Sequence, residues 1–72
     1  MNKETIDYTI SLIKSARNKN HWKIRKLISK IEILVSDYRV TALKMRGTDV
    51  ARYCNSEATR IENQLNRAKE TL

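Results

Sequence analysis

Residues 21–46, HWKIRKLISKIEILVSDYRVTALKMR, carry the longest regular apolar pattern in the chain. Side chains that recur in alternating steps of four and three residues share one face of an α-helix. In this stretch, the residues with that spacing are Ile24, Ile28, Ile31, Val35, Tyr38, Ala42 and Met45. Leu27, Leu34 and Leu43 widen the apolar face. No glycine or proline interrupts the stretch, so we predict one helix over residues 21–46.

The pattern breaks at Gly47 and resumes in a new frame. Continuing the first frame would bury Asp49 and Arg52 without partners, which is costly. Gly47 can adopt the left-handed conformation that ends a helix, and Thr48 can cap the next helix. The new frame consists of Ala51, Cys54, Ala58, Ile61, Leu65, Ala68 and Leu72. We therefore predict a second long helix over residues 48–72, antiparallel to the first.

A shorter apolar face precedes these two helices. It consists of Ile6, Ile10 and Ile13. Its spacing predicts a helix over residues 2–17, and the poor helix formers of residues 18–21 should break the chain after it. The prediction for residues 1–72 is a single all-α domain, in which a short N-terminal helix is followed by a long antiparallel helical hairpin.

The core that these helices can form is thin. A chain of 72 residues buries only about 60% of the surface that its unfolded form exposes. Ile33 and Val40 lie seven residues apart, on the side of the middle helix away from its main apolar face. Either the N-terminal helix or a second copy of the chain should cover them. We expect a homodimer that completes a four-helix or larger bundle, with a monomeric three-helix bundle as the alternative.

The composition argues against several classes of protein. Cys54 is the only cysteine and His21 the only histidine, so a disulfide framework or a cysteine–histidine metal site is excluded. Neither residue belongs to a motif for nucleophilic catalysis. We expect Cys54 to be a core residue, and the chain to be no enzyme and to need no cofactor or metal. The longest apolar run, residues 33–35, cannot span a bilayer, and no signal-peptide core follows Met1, so we expect a soluble cytoplasmic protein.

The basic residues are concentrated in one part of the chain. The net charge is +7, and residues 8–31 account for a charge of +7 because they contain seven basic side chains and no acidic one. These seven, which we call the basic segment, are Lys14, Arg17, Lys19, Lys23, Arg25, Lys26 and Lys30. Such a concentration of charge attracts polyanions, whether nucleic acid, an anionic membrane or an acidic protein.

An aromatic side chain lies within the basic segment. Lys23, Lys26 and Lys30 follow helical spacing and form a stripe beside the apolar face, and Lys19 should point the same way. Trp22 lies among them. Cations interleaved with a flat aromatic ring can hold phosphates and stack on a base. Alternatively, Trp22 is a partly buried anchor at the junction of the first two helices.

A second polar face lies on the last predicted helix. Tyr53, Arg60 and Arg67 recur every seven residues, and Gln64 lies beside them. Arginine and glutamine can form paired hydrogen bonds with base edges or phosphate. The same residue types are also ordinary on any solvated helix.

Two functions fit these features. The first is a small basic helical module that binds DNA or RNA mainly through phosphate contacts, since no helix-turn-helix pattern supports reading of a groove. The second is a protein-interaction adaptor, inhibitor or regulator that docks a helix face, including Ile33 and Val40, on an acidic or nucleoprotein partner. Attachment to an anionic membrane is less well supported, because the apolar face of the first helix lacks Trp and Phe.

Overall fold

The computed structural model describes residues 2–70. In that range the chain forms three α-helices and no strand: α1 spans Lys3–Ser15, α2 spans Trp22–Lys44 and α3 spans Asp49–Glu70. The prediction of an all-helical chain with three helices is confirmed. Leu72 and the predicted end of the last helix lie outside the described residues.

The break between α2 and α3 follows from Gly47 and Thr48, as predicted. Gly47 has a φ of +81°, which only glycine adopts without a steric cost. The Thr48 hydroxyl accepts a hydrogen bond from the backbone N–H of Ala51 at 3.2 Å, and Asp49 adds a negative charge to the first turn of α3. α2 itself ends at Lys44, two residues before its predicted end; Gly47 forms the turn that follows, and Thr48 caps the start of α3.

The connection between α1 and α2 is held by Lys19. Its ammonium group donates hydrogen bonds to the backbone carbonyls of Ile13, Lys14 and Ala16, each at 2.8 Å. These carbonyls lie at the C-terminal end of α1, where a cation also interacts favourably with the helix dipole. The expectation that Lys19 points the same way as Lys23 is wrong, because its side chain turns back onto α1.

Replacing Lys19 with alanine should lower the free energy of unfolding by about 1–2 kcal/mol, since the carbonyls at the end of α1 lose a charged donor. Urea denaturation followed by circular dichroism measures the change. Lys26→Ala removes an equal charge from an exposed position on α2 and should leave the stability within about 0.5 kcal/mol. Equal effects of the two substitutions would contradict this role of Lys19.

The main core lies where all three helices meet. Its four most completely buried large side chains are Ile6, Ile13, Ile31 and Ile61. The whole buried cluster consists of Ile6, Ile10, Ile13, Ile31, Val35, Ala58, Ile61, Leu65 and Ala68. Parts of the apolar faces predicted for all three helices thus meet in this core.

A second, smaller cluster contains Ala42, Ala51 and Cys54 and, within the described chain, takes no residue from α1. Cys54 is buried there, as predicted. Because α1 packs only on the part of the pair near the α1–α2 connection, the part near Gly47 is two helices thick. Two positions predicted for the apolar face are wrong: Met45 follows the last turn of α2 and is 42% exposed, and Leu43 is 68% exposed.

The outward side of α2 is uncovered in the described chain. Ile33 is 61% exposed and Val40 is 45% exposed, so α1 does not cover them. Leu43 lies three residues beyond Val40 on the same side. We call Ile33, Val40 and Leu43 the outer stripe.

Among the described residues, no helix is both long enough and apolar enough to cross a membrane.

Candidate polyanion-binding surface

The first turns of α2 present an aromatic ring surrounded by cations. Trp22 is the first residue of α2 and is 65% exposed, so it is not a buried anchor between α1 and α2. The Lys23 ammonium lies 5.6 Å from the centre of its ring, within range of a cation–π interaction. The His21 ring stacks beside it, with the ring centres 6.0 Å apart and an angle of 24° between the planes.

The cations that follow Trp22 lie on the same part of α2. Arg25 and Lys26 come three and four residues after Trp22, the spacing that places side chains on neighbouring turns of one helix face. Lys23 and Lys30 lie seven residues apart at the edge of that face, and all of these side chains are exposed. We call the group the α2 basic surface; its members are Trp22, Lys23, Arg25, Lys26 and Lys30.

No carboxylate neutralises these cations in the part of the chain that the structure describes. The ion pairs of residues 2–70 involve basic residues outside the basic segment. They join Arg39 to Glu62, Arg52 to Asp49, and Arg60 to both Asp7 and Glu57. The positive charge of the α2 basic surface therefore faces solvent.

The first turn of α2 lacks the acidic residues that usually stabilise the N-terminus of a helix. Helices are stabilised by acidic residues in their first turn, where the backbone N–H groups carry a partial positive charge. The first turn of α2 contains no acid, and Lys23 lies within it. The cap is provided by His21, whose Nδ1 accepts a hydrogen bond from the Lys23 N–H at 3.2 Å. A phosphate at this end would meet both the side-chain cations and the helix dipole.

The other predicted members of the basic segment lie elsewhere. Lys14 lines a groove between α1 and α3 together with Gln64 and Arg67. Arg17 is exposed in the connection between α1 and α2, and Lys19 turns inward onto α1. The structure thus does not bring all seven cations to one patch.

Arg60 of the predicted second polar face is a structural residue. Its guanidinium donates two hydrogen bonds to the Glu57 carboxylate, at 2.9 and 3.3 Å, and one to Gln64 at 3.4 Å. It also lies 3.8 Å from the Asp7 carboxylate, which ties α1 to α3. Tyr53, in contrast, is 61% exposed. The sequence pattern alone gave no indication that a residue of α1 would neutralise Arg60.

The Arg60–Glu57 pair makes stability depend on pH. The hydrogen bond from Arg60 holds the pKa of Glu57 below its ordinary value of 4.5. The folded state therefore resists protonation of Glu57 more than the unfolded state does, so the pair stabilises the fold above about pH 4.5 and this contribution is lost as the pH falls further.

Glu57→Gln should remove this part of the acid sensitivity. Between neutral pH and about pH 3, we expect the variant to lose less stability than the unchanged protein, by about 0.2–1 kcal/mol, the usual range for an ion pair with solvent access. Thermal melting at several pH values measures the difference. Glu62→Gln, which breaks the more exposed pair with Arg39, is the control and should change the pH profile less. An identical pH profile for Glu57→Gln and the unchanged protein would contradict the assignment.

The described residues contain no cluster of three or more histidine, cysteine, aspartate or glutamate side chains that could hold a metal ion.

Comparison with protein-family models, with curated proteins and with solved structures finds no match for this chain.

Proposed function

We propose that this protein binds nucleic acid through its phosphates, using the α2 basic surface. The observation that supports this proposal most strongly is the group of four cations around an exposed tryptophan, which no carboxylate of the described chain neutralises. The group occupies about two and a half turns of one helix. The helix fixes the backbone that carries these charges, so only the side chains have to be ordered on binding.

The chemistry of this binding would be chiefly electrostatic. Lysine and arginine side chains that neutralise phosphates release the counterions condensed on the nucleic acid, and this release drives association at low salt. Contacts with phosphate position the protein but read no sequence. Phosphates are common to DNA and RNA, so the proposal covers both.

A salt series tests the proposal directly. Binding of fluorescent single-stranded and duplex oligonucleotides is measured by anisotropy between about 50 and 200 mM salt, where counterion release predicts a steep, linear fall of log affinity with log salt concentration. A slope corresponding to three or four phosphates is expected for the four cations. Absence of binding at the lowest salt concentration, or binding that does not depend on salt, would overturn the proposal.

We also propose that the predicted antiparallel arrangement of α2 and α3 completes a bundle by pairing with a second copy of the chain. The support is the outer stripe, which leaves three large apolar side chains in water. Ile33 and Val40 lie at nearly equal distances on either side of Ser36, a small residue that would let two helices approach. An antiparallel crossing at Ser36 would place Ile33 of one copy against Val40 of the other. Such symmetry suits a two-fold dimer.

Ile33→Asp should abolish this self-association and leave the three-helix unit folded, because Ile33 is 61% exposed. Light scattering should show a dimer for the unchanged protein and a monomer for the variant, with equal helicity by circular dichroism. Since each copy carries a charge of +7, dimerisation should strengthen as salt is added, opposite to nucleic-acid binding. Tyr8→Asp, an equally exposed position on α1, is the control. A monomer at all concentrations would refute self-association.

A further inference from the structure

We infer that Trp22 is a stacking platform for an unpaired base, so that single-stranded nucleic acid is the preferred ligand of the α2 basic surface. The inference rests on the proposed function and specifies its ligand. It concerns the indole ring, whereas the proposed function concerns the cations around it.

The position of Trp22 argues against a role in packing. Trp22 precedes Ile31 by nine residues, or about 180° around α2, and Ile31 is completely buried in the core. The indole therefore points away from the core, and 65% of the residue is accessible to water. A large apolar ring in water costs free energy that stacking on a base would recover.

Two neighbouring side chains lie close to the Trp22 ring. Lys23 and His21 contact the ring from adjacent positions in the chain, at 5.6 and 6.0 Å from its centre. Both contacts are weak and leave most of the residue accessible to water, so a base can stack on the exposed ring.

The cations next to the ring explain why a strand, rather than a free base, fits the surface. Arg25 and Lys26 lie on the turn after Trp22, about 5 Å further along the helix axis. A base stacked on the indole brings its own phosphate close to these two side chains. In a duplex the bases are already stacked and paired, so a duplex offers the surface only its phosphates, and contact with the indole would require extruding a base.

Trp22 is the only tryptophan in the sequence, so emission excited at a wavelength that the three tyrosines do not absorb reports on this ring alone. The full-length protein is titrated at low salt with a short oligothymidylate, with a duplex of equal phosphate content and with inorganic polyphosphate. Stacking should quench the Trp22 emission with the single strand, and quench it much less with the duplex. Polyphosphate should bind, as shown by its displacement of a labelled oligonucleotide, without quenching.

Two variants separate stacking from charge. Trp22→Leu should weaken binding of the oligothymidylate about tenfold and leave binding of polyphosphate unchanged, because stacking acts on bases only. Trp22→Phe, which keeps an aromatic ring, should retain most of the affinity. Circular dichroism checks that the exposed position tolerates both substitutions.

The outcomes distinguish the inference from the proposed function. Salt-sensitive binding of single strands with no quenching, and with full affinity in Trp22→Leu, would refute the stacking platform and leave phosphate binding intact. Failure of every nucleic acid and of polyphosphate to bind would overturn both. A blue shift of the emission with phosphatidylserine vesicles, together with no response to oligonucleotides, would assign the surface to a membrane and also overturn both.

Discussion

Replacing Lys23, Lys26 and Lys30 together with alanine is expected to weaken binding of a single strand roughly a hundredfold at about 50 mM salt. Each cation that neutralises a phosphate contributes about 0.7 to the slope of log affinity against log salt for single strands, so the slope should fall by about two. The helices should remain intact, since all three side chains are exposed and alanine is a strong helix former. Fluorescence anisotropy measures affinity and slope, and circular dichroism measures helicity.

A charge-matched variant distinguishes this surface from the net charge of the protein. Lys44, Arg52 and Lys69 are exposed and lie outside the basic segment. Replacing these three with alanine lowers the net charge by the same amount, and should reduce affinity only a few-fold through the long-range field. Equal losses in the two triple variants would show that the α2 basic surface has no special role in binding.

Replacing Ile61 with alanine should strongly destabilise the fold. Ile61 is completely buried in the cluster that joins the three helices. Deleting its buried methyl and methylene groups should cost about 2–5 kcal/mol, from lost transfer energy and from the cavity that remains. A chain of 72 residues has a total stability of only about 4–11 kcal/mol. We therefore expect the variant to lose a large fraction of its total stability and to unfold at a much lower urea concentration than the unchanged protein.

Ile33→Ala is the matched control, because it deletes the same atoms from a side chain that is 61% exposed. In the monomer, its cost should be below about 1 kcal/mol. Urea denaturation of both variants at low protein concentration measures the two changes. A loss at Ile33 as large as that at Ile61 would contradict the described core.

The helices were predictable because each depends on local patterns. The apolar spacing of residues 24–42 and the breaks at Gly47 and Thr48 are properties of short stretches of sequence. The errors at Leu43 and Met45 have local causes. Leu43 lies on the outward side of α2 with Val40, about 120° around the helix from the buried Ile31, and Met45 follows the last turn of the helix, where the helical period no longer applies.

The candidate site was predictable only in part. The concentration of charge in the basic segment is a property of the sequence, and so is the helical spacing of Lys23, Lys26 and Lys30. The direction of Lys19 is not, because it lies after a helix break, where periodicity no longer orients side chains. A lysine a few residues beyond a helix end is nevertheless a known partner for the last carbonyls. The contact of Arg60 with Asp7 was not predictable, because it joins residues that are far apart in the sequence.

Amide chemical-shift mapping identifies the part of the protein that nucleic acid contacts. The ¹⁵N-labelled protein is titrated with a short oligothymidylate at low salt. If nucleic acid binds the α2 basic surface, the largest shifts should fall on residues 22–30 and on the indole N–H of Trp22, and α3 should change little. Shifts concentrated on α3 or on the outer stripe, or spread evenly over the three helices, would contradict this proposal.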